Sequence, residues 1–143
     1  MPSALQRPHI LIVTDDWGLS DFLGEGLVYA GFWTSVIASA LQTLEVFRLR
    51  SFDAIVLDSD LGGIGAFELL RRLQGRTDIP VLLIASIPGT LDAAEQQSLG
   101  VGRVLSPPIE LEDLARELFA LVGTWRANHP DRPWADEAAL QSA

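Results

Sequence analysis

The chain has 143 residues, 48% of them hydrophobic and 20% charged, which is enough for one full core and typical of a soluble globular domain. Its net charge of −9 argues against direct contact with nucleic-acid phosphates. All ten basic residues are arginine and cysteine is absent, which excludes Schiff-base and P-loop lysines, disulfides and thiolate catalysis. No apolar run approaches the roughly 20 residues of a membrane-spanning helix, and residues 1–9 lack the design of a signal peptide. The absence of cysteine makes the cytoplasm the expected compartment. His9 and His129 lie near opposite ends, which disfavours a histidine triad or zinc site.

Residues 1–8 read as a loose leader. His9 to Thr14 form a first strand, its apolar run closed by Thr14 and the pair Asp15-Asp16. A helix is expected over Leu19 to Ala30, with Phe22, Leu23, Leu27 and Ala30 on its inner side and Gly31 as its stop. Gly24 and Gly26 each weaken it by about 1 kcal/mol against Ala, so tertiary packing must hold it. Trp17, beside the acid pair, either lids a pocket there or packs on the loop. Phe32 to Ile37 suits a second strand, and Ala40 to Arg50 a second helix with Leu41, Leu44 and Phe47 inward.

Ala54 to Leu57 is a short unalternating apolar run, as in a parallel strand covered on both faces, and it breaks at Asp58. Gly62, Gly63 and Gly65 mark the loop before a third helix that turns Phe67, Leu69, Leu70 and Leu73 inward and Arg71 and Arg72 outward. Pro80 opens a fourth strand, Val81 to Ala85. Thr90 is placed to cap a helix over Leu91 to Leu99, which ends before a turn at Gly100-Val101-Gly102. Val104 and Leu105 make a short fifth strand, stopped by Pro107-Pro108. Leu111, Leu114, Leu118, Leu121, Val122 and Trp125 recur at three- and four-residue steps, the clearest helical period in the chain. Pro133 is placed to seed a short helix in a tail otherwise read as frayed.

Strands alternating with helices imply right-handed crossovers and a three-layer α/β sandwich with a parallel five-stranded sheet. Ligands of such sheets sit at the strands' carboxyl ends, where Asp15, Asp16 and Asp58 would converge. Crowded carboxylates call for a cation, and oxygen-only donors suit Mg²⁺.

With these elements in place, residues 9–122 resemble a response-regulator receiver domain, the phosphorylatable module of two-component signalling. The resemblance rests on Asp15-Asp16 after the first strand, Asp58 ending the third, Leu61-Gly62-Gly63 at the following turn, and Pro108 after the fifth. It implies the flavodoxin-like strand order 2-1-3-4-5. It also implies that Asp58 is the phospho-acceptor, and that Asp15, Asp16, Asp58 and the backbone carbonyl of Asp60 hold Mg²⁺. Histidine kinases or other signalling proteins would be the partners, with homodimerisation left open and no enzyme turnover. Residues 123–143 fall outside the resemblance as the helix end and tail.

The chain departs from the family's pattern at all three switch positions. Pro107 stands where the family has Lys, Ala85 where it has Thr or Ser, and Val104 where it has an aromatic residue. Ser86 can replace the missing hydroxyl only if the strand end re-aims it, since neighbouring side chains point oppositely. The leading expectation is therefore an atypical receiver that keeps the acceptor pocket and has lost the usual read-out. A receiver phosphorylated normally by a histidine kinase is the alternative. A small phosphatase using Asp58 and Asp60 is a distant third, because the run Asp58-Ser59-Asp60 also resembles a haloacid-dehalogenase nucleophile motif, although that family needs a lysine.

Overall fold

In a computed structural model that describes residues 6–46 and 51–134, five strands alternate with five helices. The elements are β1 (His9–Val13), α1 (Trp17–Ala30), β2 (Trp33–Ile37), α2 (Ala40–Val46), β3 (Ala54–Asp58), α3 (Ala66–Leu73), β4 (Val81–Ile84), α4 (Ala93–Ser98), β5 (Val101–Leu105) and α5 (Leu111–Ala127). All neighbouring strands are parallel and the sheet order is β2-β1-β3-β4-β5, as the resemblance implied.

Period-two alternation sorts the sheet's apolar side chains into two cores. Leu11, Val13, Ile55, Leu57, Leu83 and Ala85 face α2 and α3, while Ile10, Ile12, Val56, Leu82 and Ile84 face α1 and α5. β1 and β3 are buried along their whole length, which is why they read as unbroken apolar runs. Gly26, costly to α1 in isolation, has a packing reason: a Cβ there would stand 2.8 Å from Leu111 Cδ1, so only glycine lets α1 and α5 approach this closely. Gly31 closes α1 at φ 114°, donating its N–H to the carbonyls of Leu27 and Val28.

Several local expectations are corrected. Phe22 and Leu41 lie on exposed helix faces, at 43% and 56% exposure, because each helix turns a narrower stripe inward than the apolar count implied. α2 buries Ala40 and Thr43 instead, with Leu44 partly buried, and Phe47 lies outside the described residues. α1 begins at Trp17, since Asp16 caps it, and β2 begins at Trp33. α4 starts at Ala93, because Asp92 and Glu95 form a capping box where Thr90 was expected to cap. The Thr90 hydroxyl donates to the Ile87 carbonyl instead. Val101, expected in a turn, already pairs with Val81 of β4, and Gly102 follows it in β5 at an irregularity of the register, since Leu82 pairs with Arg103. α5 continues unbroken through residue 122 to Ala127, and residues 133 and 134 are not helical; the remainder of the tail lies outside the described residues.

Candidate functional site

Asp58 is the last residue of β3 and is buried. β1 runs parallel to β3 with Val13 opposite Leu57, so the next residue along, Thr14, comes level with Asp58. The Thr14 hydroxyl donates to Asp58 Oδ2 at 2.7 Å, and the Asp60 N–H donates to Asp58 Oδ1 at 2.9 Å. Thr14 Oγ1 in turn accepts the Asp16 N–H at 3.1 Å. Asp16 Oδ1 accepts the Leu19 N–H at 2.9 Å, satisfying a free donor in the first turn of α1. Asp15 turns the other way, and its Oδ2 accepts the Gly62 N–H at 3.0 Å. A Cβ on Gly62 would sit 3.1 Å from that oxygen, so the glycine keeps the loop close to Asp15.

The acids therefore divide. Asp16, Asp58 and Asp60 line one cleft of about 520 Å³, with Ser86, Pro107 and Ile109 completing its wall. Asp15 lines a smaller neighbouring depression with Thr14, Trp17 and Val36. Trp17 is 83% exposed and belongs to that second depression, so it is neither a lid on the Asp58 cleft nor a packed loop residue. Among the described residues no arginine pairs with Asp15, Asp16, Asp58 or Asp60. Their oxygens are hard donors of the kind Mg²⁺ prefers, so the donor chemistry fits that ion. Their placement is not that of a finished metal cage: among the described residues no three His, Cys, Asp or Glu side chains are grouped to hold a metal.

The switch positions are placed plainly. Ala85 is fully buried in the core facing α2 and α3, with no hydroxyl to offer the cleft. Val104 is half-buried on β5, and Pro107 stands at the cleft wall with no charge. Ser86, past the end of β4, is exposed and re-aimed toward the cleft, where its hydroxyl donates to Asp60 Oδ1 at 3.0 Å.

A second polar cluster occupies the opposite rim of the sheet, and sequence reasoning missed it. Asp53, just before β3, is buried; its Oδ2 accepts the His9 N–H at 2.8 Å and its Oδ1 meets Arg126 Nη2 at 2.5 Å. Burial pushes the Asp53 carboxyl above its ordinary range, against the pull of the His9 N–H and the Arg126 guanidinium. Asp78 accepts from the Trp125 indole N–H at 3.3 Å and meets His129 Nε2 at 2.8 Å. Slight desolvation works against its charge, but these two partners hold the exposed Asp78 carboxyl below the usual range. Arg132 donates to the Phe52 carbonyl at 3.1 Å, and Arg126 donates to the Arg132 carbonyl at 3.0 Å. The chain after α5 is thus tied back under the sheet. The available signal was Arg and His recurring at residues 126, 129 and 132, but no local pattern names their partners.

A parallel sheet in this order, with a buried aspartate ending its third strand and further acids beside it, defines a flavodoxin-like domain of the signalling-receiver class. The family model for the response regulator receiver domain matches residues 10–119, and the chain belongs to that family. It is 25% identical over 133 residues to the sensory transduction protein RegX3 of Mycolicibacterium smegmatis, covering 93% of this chain and 58% of that protein. It is 28% identical over 115 residues to the transcriptional regulatory protein TctD of Salmonella typhimurium, covering 80% and 51%. The chain thus spans a little over half the length of these relatives. The receiver domain of the Francisella response regulator 1452 superposes with a TM-score of 0.76 at 21% identity, over 83% of this chain and 99% of that one. Full-length FixJ from B. japonicum gives 0.75 at 26%, over 83% and 59%. As a receiver domain the chain is a signalling module rather than an enzyme, which sets aside the phosphatase reading. No helix among the described residues is long and apolar enough to cross a membrane.

Proposed function

We propose that the chain is an atypical receiver whose Asp58 accepts a phosphoryl group from a histidine kinase or relay protein, and that it acts in the cytoplasm through protein contacts rather than by binding nucleic acid. The observation that carries this reading is the buried Asp58 carboxylate at the carboxyl end of β3, bordering an acid-lined cleft. One Asp58 oxygen would form the new O–P bond as the donor's P–N bond breaks, the bonding pair leaving with the imidazole. Mg²⁺ would be held by Asp58 with Asp15, Asp16 and the Asp60 carbonyl, and when bound it screens the phosphoryl oxygens from the carboxylates. The Asp15, Asp16 and Asp58 carboxylates each already accept a protein hydrogen bond, so the ion must share or displace those donors.

What makes the receiver atypical is the loss of charge and read-out at Pro107, Ala85 and Val104. With no ammonium at Pro107 and no hydroxyl at Ala85, a phosphoryl group would gain little from β4 and β5, and coupling to that side of the domain should be weak. A second reading, an ordinary phosphorylated receiver, is favoured by Ser86, whose hydroxyl does reach the cleft wall. Intact mass after treatment with acetyl phosphate and Mg²⁺, with Asp58→Asn as control, tests the acceptor. An added phosphoryl mass on the wild type alone supports it, and none refutes it. If Ser86→Ala then shortens the lifetime of the phosphorylated state, the ordinary reading prevails; light scattering of both states checks for a homodimer.

A further inference from the structure

Two hydrogen bonds reach the Asp58 carboxylate, and different parts of the fold lie behind them. The Asp60 N–H on Oδ1 is local, from two residues along the same loop. The Thr14 hydroxyl on Oδ2 comes from another strand, 44 residues away, and Thr14 is itself buried. Its backbone is pinned, since the Thr14 N–H donates to the Ile37 carbonyl at 3.1 Å. With its proton committed to Asp58, Thr14 Oγ1 has its acceptor side turned to the Asp16 N–H, and the Asp16 carboxylate caps Leu19. A continuous path of Asp58, Thr14, Asp16 and Leu19 therefore joins the acceptor to the first turn of α1. A second path runs toward the end of β4, through the Asp60 N–H on Asp58 and the Ser86 hydroxyl on Asp60, but it passes through an exposed serine, whereas the Thr14 hydroxyl is a buried side-chain donor.

We propose that Thr14 is the positioning residue of the acceptor carboxylate, and that the head of α1 senses the charge on Asp58 through it. A hydroxyl bonded to a carboxylate is held roughly twice as strongly as one bonded to a neutral carbonyl. When the Asp58 carboxylate becomes a neutral acyl group, either as an acyl phosphate formed through Oδ1 (its added charge then lying on the phosphoryl oxygens) or as Asn, the oxygen facing Thr14 holds the hydroxyl less strongly and frees it to reorient. The Asp16 N–H then loses an acceptor of fixed direction, and the cap of α1 loosens. Thr14 also leaves Oδ1, on the Asp60 side, as the oxygen without a buried side-chain donor. The inference deepens the reading of Asp58 as acceptor, yet the hydrogen bond it rests on exists in the unmodified chain.

Amide hydrogen exchange at Asp16 and Leu19 tests it without any phosphoryl donor. Asp58→Asn and Thr14→Val should each speed exchange there by about tenfold, the weight of one charge-assisted hydrogen bond. Thr14→Ser, which keeps the hydroxyl, should stay near wild type, and Asp58→Asn should add nothing in the Thr14→Val background. If exchange is unchanged in Asp58→Asn, or if its full effect survives in Thr14→Val, the coupling does not run through Thr14. Amides of Ile12 and Val56 report global folding; should Thr14→Val disturb them, Thr14→Ala is read by the same criteria. A wild type that takes up no phosphoryl group would refute the acceptor reading alone and leave this result standing.

Discussion

The two rims of the sheet handle their acids in opposite ways. At the amino-end rim Asp53 and Asp78 each meet a basic side chain, Arg126 and His129, both delivered by the end of α5 and the turn after it. At the carboxyl-end rim Asp15, Asp16 and Asp58 meet, among the described residues, neutral donors: two loop or helix N–H groups, another from Asp60, and the Thr14 hydroxyl. The buried Asp53–Arg126 pair locks a conformation, because removing either partner strands a charge in a poor solvent, whereas Asp78 and His129 meet near the surface. Neutral donors satisfy a carboxylate and leave its charge in place, ready for a cation or an electrophile. One rim is closed by a buried ion pair and the other, on the proposed reading, is left open to react, and the difference follows from where the described arginines fall rather than from the number of acids.

Breaking the locked rim should have the largest effect. Arg126→Ala leaves the buried Asp53 carboxylate without its ion partner and should cost about 3 kcal/mol in urea unfolding at neutral pH. The pH dependence has a definite sign. Asp53 has a raised carboxyl in the folded chain, so its contribution is fully present below the unfolded value and is lost as pH rises through the folded one. Removing Arg126 takes away a group that lowers it, which raises the folded value further. The deficit of the variant should therefore be small near about pH 4 and grow toward about pH 8. A deficit that is flat with pH would mean Arg126 acts by packing on Trp134, where its guanidinium lies 3.4 Å from the ring centre.

At the reactive rim, Thr14→Val should cost about 1–3 kcal/mol, the penalty for a buried carboxylate oxygen losing a donor. Thr14→Ser should recover most of it, as read from the same unfolding curves. Millimolar Mg²⁺ sharpens the contrast: at a tenfold excess over its Kd it should stabilise the wild type by about 1.4 kcal/mol. The increment should be unchanged in Arg126→Ala and reduced in Asp58→Asn; a melting temperature insensitive to Mg²⁺ would count against any metal at this rim. The smallest effect is expected for His129→Ala. Its pair with Asp78 is largely exposed, and such pairs are worth a few tenths of a kcal/mol. Because Asp78 is held below its usual range, what it contributes is present above its unfolded value and lost as pH falls through the folded one.

Much of this was legible in the residues. Short apolar runs ending in polar breaks located β1, β3 and β4, and the period of Leu114, Leu118, Val122 and Trp125 located the buried stripe of α5. Asp58 stood out because an acid after a fully apolar strand can only lie at its end. What failed did so for physical reasons. Phe22 and Leu41 looked interior because apolar type was taken for burial, whereas a helix on a sheet hides only the stripe that faces it. Thr90 lost its capping role to Asp92, which has Glu95 three residues on to reciprocate. The β5 start was missed because Gly102 reads as a turn, while here it makes room for α5: a Cβ would stand 2.7 Å from Leu121 Cδ2.

The sequence by itself determined the alternation of strand and helix, the position of Asp58 and the absence of any lysine to neutralise it, because these depend on residue type and local period alone. Only the tertiary structure decided which neighbours the acids have. The register of β1 against β3 brings Thr14 level with Asp58, and the turn after Leu61 brings the Gly62 N–H to Asp15. The length of α5 carries Arg126 under the sheet to Asp53. Each joins residues more than 40 positions apart, and contacts at that distance are set by how strands pair and helices cross, not by any pattern along the chain.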